Sequence, residues 1–336
     1  MSKLDDILNV VPVFSELECS PIGLGLAALG RPGYINLGHA GDIVDQDYQA
    51  MREHALVMLD EAYALGVRYF DVAASYGAGE QSLGEWVFER GLHTQGVTAA
   101  SKWGYTYTAD WQVDADLHEV KEHTLENLNS SFVWSCLHLG QAMNIYQIHS
   151  ATFESGVLEN SAVLNRLAEI KQDGRLIGLT VSGPRQSELI DHAVEIAIDG
   201  EPLFGVVQAT WNILETSASE ALSRAKDAGL AVIVKEAMAN GRLTERNQEA
   251  DFHSKLVTLQ QQAERLGCSL DALVMAAAVN QCWSDVTLSG ATTIDQLRSN
   301  LQGLNVVWDI EAEHILQELT EPAEQYWATR AALKWN

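Results

Sequence analysis

Asp71, Tyr76, Lys102 and His149 are the residues of this chain whose types and spacing could do chemistry together. Asp71 ends the run Val67-Arg68-Tyr69-Phe70, and Tyr76 follows five residues later, just before Gly77. Lys102 closes the run VTAASK and His149 closes NIYQIH. Each also has a plainer reading. Asp71 opens a turn by accepting backbone N–H bonds, Lys102 is a salt-bridge residue, and His149 is a satisfied buried imidazole. Taken together they suggest more. A free phenol has a pKa near 10, too high for efficient proton transfer at neutral pH. A neighbouring ammonium favours phenolate and lowers that value, so Lys102 is expected to activate Tyr76. A buried lysine needs a counter-charge, which Asp71 supplies. His149 can donate a hydrogen bond that orients a substrate oxygen toward the phenol. Such a site polarises a carbonyl, or an alcohol in the reverse direction. No side chain is an obvious nucleophile, so hydride from a nicotinamide is the natural partner.

The elements that must carry these residues alternate along the chain. Short β-rich runs at 22–26, 68–71, 97–102, 145–149, 177–181, 206–209, 231–235 and 286–289 read as strands. Amphipathic stretches at about 48–65, 81–90, 117–131, 158–173, 185–198, 218–228, 269–281 and 293–304 read as helices. Gly66, Gly174 and Gly229 stand where a left-handed C-terminal cap is expected. Eight β/α alternations without a break in composition favour a (β/α)8 TIM barrel, with residues 1–336 as a single barrel domain. An open doubly wound sheet is the alternative, but its G-x-G-x-x-G fingerprint fails because Gly30 comes two places late after Gly23 and Gly25. A polar insertion at 33–47 follows the first strand, and a C-terminal extension at 306–336 carries Trp308, Tyr326, Trp327 and Trp335. In a barrel, strand C-termini share one rim, so the acid, phenol, ammonium and imidazole converge there.

Bulk properties narrow the function. The 336 residues are 47% hydrophobic, ample for a full core. With 21 Lys and Arg against 46 Asp and Glu, the formal charge is −25, which argues against nucleic-acid binding. Cys19, Cys136, Cys268 and Cys282 are too scattered for a disulfide framework or a C-x-x-C pair. The N-terminus, MSKLDDILNVVPVF, has acids where a signal peptide is basic, and no apolar run approaches a membrane span. A cytoplasmic protein with a small-molecule partner is expected. His118 and His123 lack an H-E-x-x-H frame, so no metal site is read. Ser150 lacks a G-x-S-x-G elbow, which argues against a hydrolase.

GVRYFDVAASYG with Glu80 and Leu83-Gly84, then ASKWG, then IYQIHS, resemble in order and strand context the signatures of the aldo-keto reductase superfamily, over roughly residues 21–304. The resemblance implies a barrel with NADP or NAD across its C-terminal face and a tetrad of Asp71, Tyr76, Lys102 and His149, with Tyr76 as general acid/base. It also implies cofactor contacts from Thr180 and Gln208 at the carboxamide and from Lys235, Asn240, Gly241 and Leu243 after the seventh strand. Gly290, Thr292, Gln296 and Asn300 would lie toward adenosine. Val181 stands where the family has an asparagine, and Lys235 where it has an aromatic stacked on nicotinamide; Trp211 is a candidate to supply a ring instead. Gly290 and Gln296 replace bases that usually meet a 2′-phosphate, which leaves NAD and NADP both open. Trp103 and Tyr105 belong to an aromatic cluster that either walls the substrate or covers the barrel mouth. Segments 30–34, 182–184 and 235–243 are similar to a bacterial branch that includes L-fucose and galactose 1-dehydrogenases. The expected function is therefore hydride transfer between nicotinamide and a small aldehyde, ketone or aldose. The alternative is a nicotinamide-binding partner subunit with little turnover.

Overall fold

The computed structural model describes residue 17, residues 19–92 and residues 96–336. The N-terminal stretch considered for a leader, residues 1–14, lies outside the described residues. Eight parallel strands close into a barrel: β1 (Ile22–Gly25), β2 (Tyr69–Asp71), β3 (Thr98–Trp103), β4 (Met143–Ala151), β5 (Leu176–Val181), β6 (Val206–Thr210), β7 (Ala231–Lys235) and β8 (Val286–Ser289). Neighbours in sequence are neighbours in the barrel, and β1 closes the ring on β8. This is the (β/α)8 architecture expected. Alternate strand residues turn inward, and Tyr69, Ala100, Ile145, Val206, Ile233, Val286 and Leu288 form a cluster that fills the barrel interior. A larger apolar layer lies between the strands and the surrounding helices.

The helices are α1 (Tyr48–Ala64), α2 (Gly79–Glu89), α3 (Leu125–Leu139), α4 (Ser161–Gln172), α5 (Gln186–Val194), α6 (Ser219–Asp227), α7 (His253–Leu266), α8 (Leu270–Val279), α9 (Ile294–Leu301), α10 (Ile310–Gln317) and α11 (Ala323–Ala331). Their starts follow from local chemistry. Asp47 caps α1 by accepting from the Gln49 and Ala50 amides, Thr124 caps α3, and Thr293 with Gln296 forms a capping box on α9. None of the helices among the described residues is long and apolar enough to cross a membrane.

Three differences from the sequence expectation have physical causes. Residues 117–124 are not helical. Glu119–Lys121 pairs antiparallel with Tyr105–Tyr107, so the third helix begins eight residues later, at its Thr124 cap. Helix α7 was not anticipated, although Leu256, Leu259 and Ala263 repeat at helical spacing and are buried. The C-terminal extension forms α10 and α11 and then returns to the barrel mouth. There the backbones of Asn336 and Tyr34 exchange hydrogen bonds of 3.0 and 3.2 Å.

Candidate active site

Two glycines bring the loops after β1 and β2 together. Gly77 has φ of +55°, a left-handed conformation that favours glycine, and a Cβ on it would press against the Gly30 carbonyl at 2.5 Å. A Cβ on Gly30 would in turn collide with the Tyr76 carbonyl. The Ala78 amide donates to the Gly30 carbonyl at 2.7 Å. Tyr76 is therefore fixed on a tight turn at the strand rim. His149 is aimed by a register irregularity between Ile148 and Ala151 of β4, where Ser150 takes φ of +51°. The Ser150 amide donates to Thr180 Oγ1 at 2.7 Å, which anchors this bulge to β5.

The four tetrad candidates converge. Tyr76 Oη and His149 Nε2 are 3.4 Å apart, with their rings in an edge-to-face arrangement. The Lys102 ammonium forms a short ion pair with Asp71 and donates to the Val72 carbonyl at 2.8 Å; it lies 5.1 Å from the centre of the Tyr76 ring. Gln208 Nε2 donates to the second Asp71 oxygen at 2.8 Å, so both carboxylate oxygens are occupied.

The electrostatics differ from the sequence expectation in one respect. Burial, reinforced by the charges of Asp71 and Glu119, holds the Tyr76 phenol well above its ordinary pKa, and Arg31 is the cation that works against this shift. The Arg31 guanidinium sits 5.5 Å from the Tyr76 ring centre. The Lys102 charge is directed into Asp71, and burial pulls its own pKa down. Burial, with Lys102, Lys235 and Arg31 nearby, also holds His149 well below its usual value. Both shifts favour the uncharged forms, so a phenol that carries its proton stands beside an uncharged imidazole.

A cavity of about 890 Å³ opens from this cluster and runs along the strand ends to α9. Tyr76, His149, Tyr105, Gln208, Lys235, Asn240, Gly241, Gly290, Gln296 and Asn300 all line it. Five expected residues do not, among them Lys102, which is buried behind Tyr76 against Asp71. Thr180 is fully buried and bonded to Ser150; Ser182, two residues on, faces the cavity instead. Leu243 lies in the apolar core. Thr292 is buried with its hydroxyl on Asp42 and Gln296. Trp103 is fully buried and packs edge-on against His123, so it covers the barrel and walls no substrate. Trp211 also turns away, bonding Ser219 and packing on Trp283.

Several lining residues were not foreseen. Arg31 pairs with Glu119 at 2.9 Å and lies under the Trp335 ring, which is itself stacked on His118. Arg330 reaches in from α11 to Glu236 beside Lys235. At the far end Arg246 pairs with Asp42 of the 33–47 insertion, and Asp42 also accepts from Gln296 Nε2 at 3.0 Å. The positively charged side chains in segments 30–34 and 306–336 were the available signal. Nothing local assigned them to the site.

The cavity's shape and donor set fit a dinucleotide. Asn240 Oδ1 and Asn300 Oδ1 are buried acceptors without a hydrogen bond, suited to ribose hydroxyls or an exocyclic amine. A Cβ placed on Gly290 meets nothing within 4 Å, so the backbone there is open to a planar group.

A model described as the aldo/keto reductase family matches residues 21–321. An uncharacterized oxidoreductase of Bacillus subtilis is 22% identical over 87% of this chain and 89% of its own length. The NADH-specific methylglyoxal reductase of Escherichia coli is 23% identical over 93% and 98%. Among solved structures, an aldo-keto reductase from Bacillus halodurans in its holo form superposes with a TM-score of 0.70 at 21% identity, covering 92% of this chain and 95% of that one. A putative aldo-keto reductase from Pseudomonas aeruginosa gives 0.61 at 19%, covering 88% and 95%.

Proposed function

The chain belongs to the aldo/keto reductase family and is an NAD(P)-dependent oxidoreductase, and from that premise we propose that it reduces a small carbonyl compound with Tyr76 as the proton donor. The observation that carries this reading is the contact of Tyr76 Oη with His149 Nε2, 3.4 Å apart at the end of a cavity long enough for a dinucleotide. When bound, the nicotinamide supplies hydride to the carbonyl carbon. Tyr76 gives its proton to the carbonyl oxygen as charge develops there, and His149 holds that oxygen by a hydrogen bond. Lys102, oriented by Asp71 and the Val72 carbonyl, keeps a positive charge beside the phenolate left behind. Gln208 fixes Asp71, and Asn240, Gly241, Gly290, Gln296 and Asn300 would hold the nucleotide.

NADH is the proposed cofactor. Asp42 sits against Gln296 at the adenosine end and neutralises Arg246, the lining base best placed to meet a 2′-phosphate. The Escherichia coli relative named NADH-specific is consistent with this choice.

The test is a matrix of NADH, NADPH, NAD⁺ and NADP⁺ against 2-oxoaldehydes, simple carbonyls and aldoses, repeated with Tyr76→Phe. The phenylalanine keeps the ring packed on His149. We expect kcat to fall by about two to four orders of magnitude with nucleotide Kd nearly unchanged. Near wild-type turnover in Tyr76→Phe would refute the role assigned to the phenol. Tight nucleotide binding without turnover of any carbonyl would favour a binding subunit.

A further inference from the structure

We propose that Lys121, Ser150, Ser182 and Lys235 form an anion subsite in the cavity wall, so that the preferred substrate carries an oxyanion, a carboxylate or a phosphate, beyond its reacting carbonyl. The proposal rests on the reductase function and narrows its substrate class.

The charges at this end of the cavity do not cancel. Four cations line it: Arg31, Lys121, Lys235 and Arg330. Arg31 is matched by Glu119 and Arg330 by Glu236, while the Lys102 charge is matched by Asp71. Among the described residues, no carboxylate lies within ion-pair distance of Lys121 or Lys235. In a chain of net charge −25, two ammonium groups thus face one pocket with no direct carboxylate partner, Glu236 acting on Lys235, and Glu154 and Glu119 on Lys121, only at longer range.

Their contacts join them into one wall. Lys235 Nζ donates to Ser182 Oγ at 3.0 Å and to Thr210 Oγ1 at 2.8 Å, which leaves the third of its three N–H bonds unused. Ser182 Oγ lies 3.4 Å from Ser150 Oγ, and Lys121 Nζ donates to the Ser150 carbonyl at 3.0 Å. Two serines thus lie between two ammonium groups along a wall that begins immediately after His149. Tyr105 gives the scale. Its ring centre is 4.8 Å from that of His149 and 5.4 Å from Lys121 Nζ, so one aromatic ring spans the gap between the catalytic imidazole and the cation. An acid group a few bonds from the carbonyl would fit that separation. A purely structural role is a poor explanation for Lys235, because burial weighs more on this ammonium than the opposing charge of Glu236, and its direct partners are two hydroxyls. An incoming oxyanion would offset that burial.

The test compares matched pairs: succinic semialdehyde against butanal for a carboxylate, and glyceraldehyde 3-phosphate against glyceraldehyde for a phosphate. In the wild type, kcat/KM should favour at least one anionic member by tenfold or more, and which pair shows the gain identifies the oxyanion. Lys121 is exposed on a rim hairpin outside the tetrad, so Lys121→Gln should fold and leave the neutral substrates unchanged. It should cut the anionic preference about tenfold. No preference in either wild-type pair, or an equal loss for charged and neutral substrates in Lys121→Gln, overturns the subsite. If none of the four compounds turns over with either reduced cofactor, the reductase reading fails and calorimetry decides the subsite separately. Succinate or inorganic phosphate binding the wild type at least tenfold more tightly than Lys121→Gln supports it; a smaller difference, or no binding, overturns it.

Discussion

Removing the Lys102 ammonium separates two uses of that charge, holding the fold and holding the phenolate. Lys102 and Asp71 are almost fully buried. Lys102→Met keeps the stem and leaves the Asp71 carboxylate with Gln208 as its remaining side-chain donor. Stranding one partner of a buried pair costs about 3–5 kcal/mol, or roughly 6–10 °C in Tm at about 2 °C per kcal/mol for a large domain. The double variant Lys102→Met/Asp71→Asn removes both charges and should regain most of that stability. Activity should behave differently. A unit charge about 5 Å from the ring is worth roughly 3 kcal/mol to a phenolate at an effective dielectric near 20. That is about two decades of rate before Asp71 reduces it. Both variants should therefore lose one to two decades of kcat, and the double variant should not recover it. Calorimetry and steady-state kinetics on the same preparations read the two effects. A double variant that regains stability and turnover together would reduce Lys102 to a counter-ion and refute the catalytic role of its charge.

Two further outcomes follow from the charges in the cavity. Asp42 stays ionised, because although burial opposes it, its bonds from Arg246, Gln296 and Thr292 hold its carboxyl below the usual range. Asp42→Asn should free Arg246 and raise NADPH affinity relative to NADH by about tenfold, read by tryptophan quenching; an unchanged ratio would remove Asp42 from cofactor choice. Lys235 is held down at about 8, with burial the largest cause, Arg330 and Lys102 adding to it, and Glu236 and Asp71 opposing. Glu236 is kept at about 2 despite its burial by Arg330 and Lys235, so it carries no titration in this range. Since the protonated amine is the form that attracts an anion, 1/KM for an anionic substrate should be full below pH 8. It should decline as pH rises through that value, and the inflection should vanish in Lys235→Gln.

The chain by itself determined the barrel and the identity of its chemical groups. Most strands are short runs carrying β-branched or aromatic residues and ended by glycine, a polar residue or the next helix cap, and those signals lie within a few residues of what they specify. The candidate tetrad was legible for the same reason, since strand ends share one rim and Asp71, Lys102 and His149 each close a strand or lie near its end. Tertiary structure decided the rest, because it depends on partners remote in sequence. Residues 117–124 read as helix, but Glu119–Lys121 pairs with Tyr105–Tyr107 once the chain folds back. Thr180 carries the right hydroxyl and spends it on the Ser150 amide. Asp42 meets an arginine 204 residues away, and Arg330 meets Glu236 across 94. The sign of the shift on Tyr76 was beyond sequence as well. A lysine nearby argues for a lowered pKa, but how far burial outweighs that charge, and which carboxylate absorbs it, is settled only when every neighbour is in place.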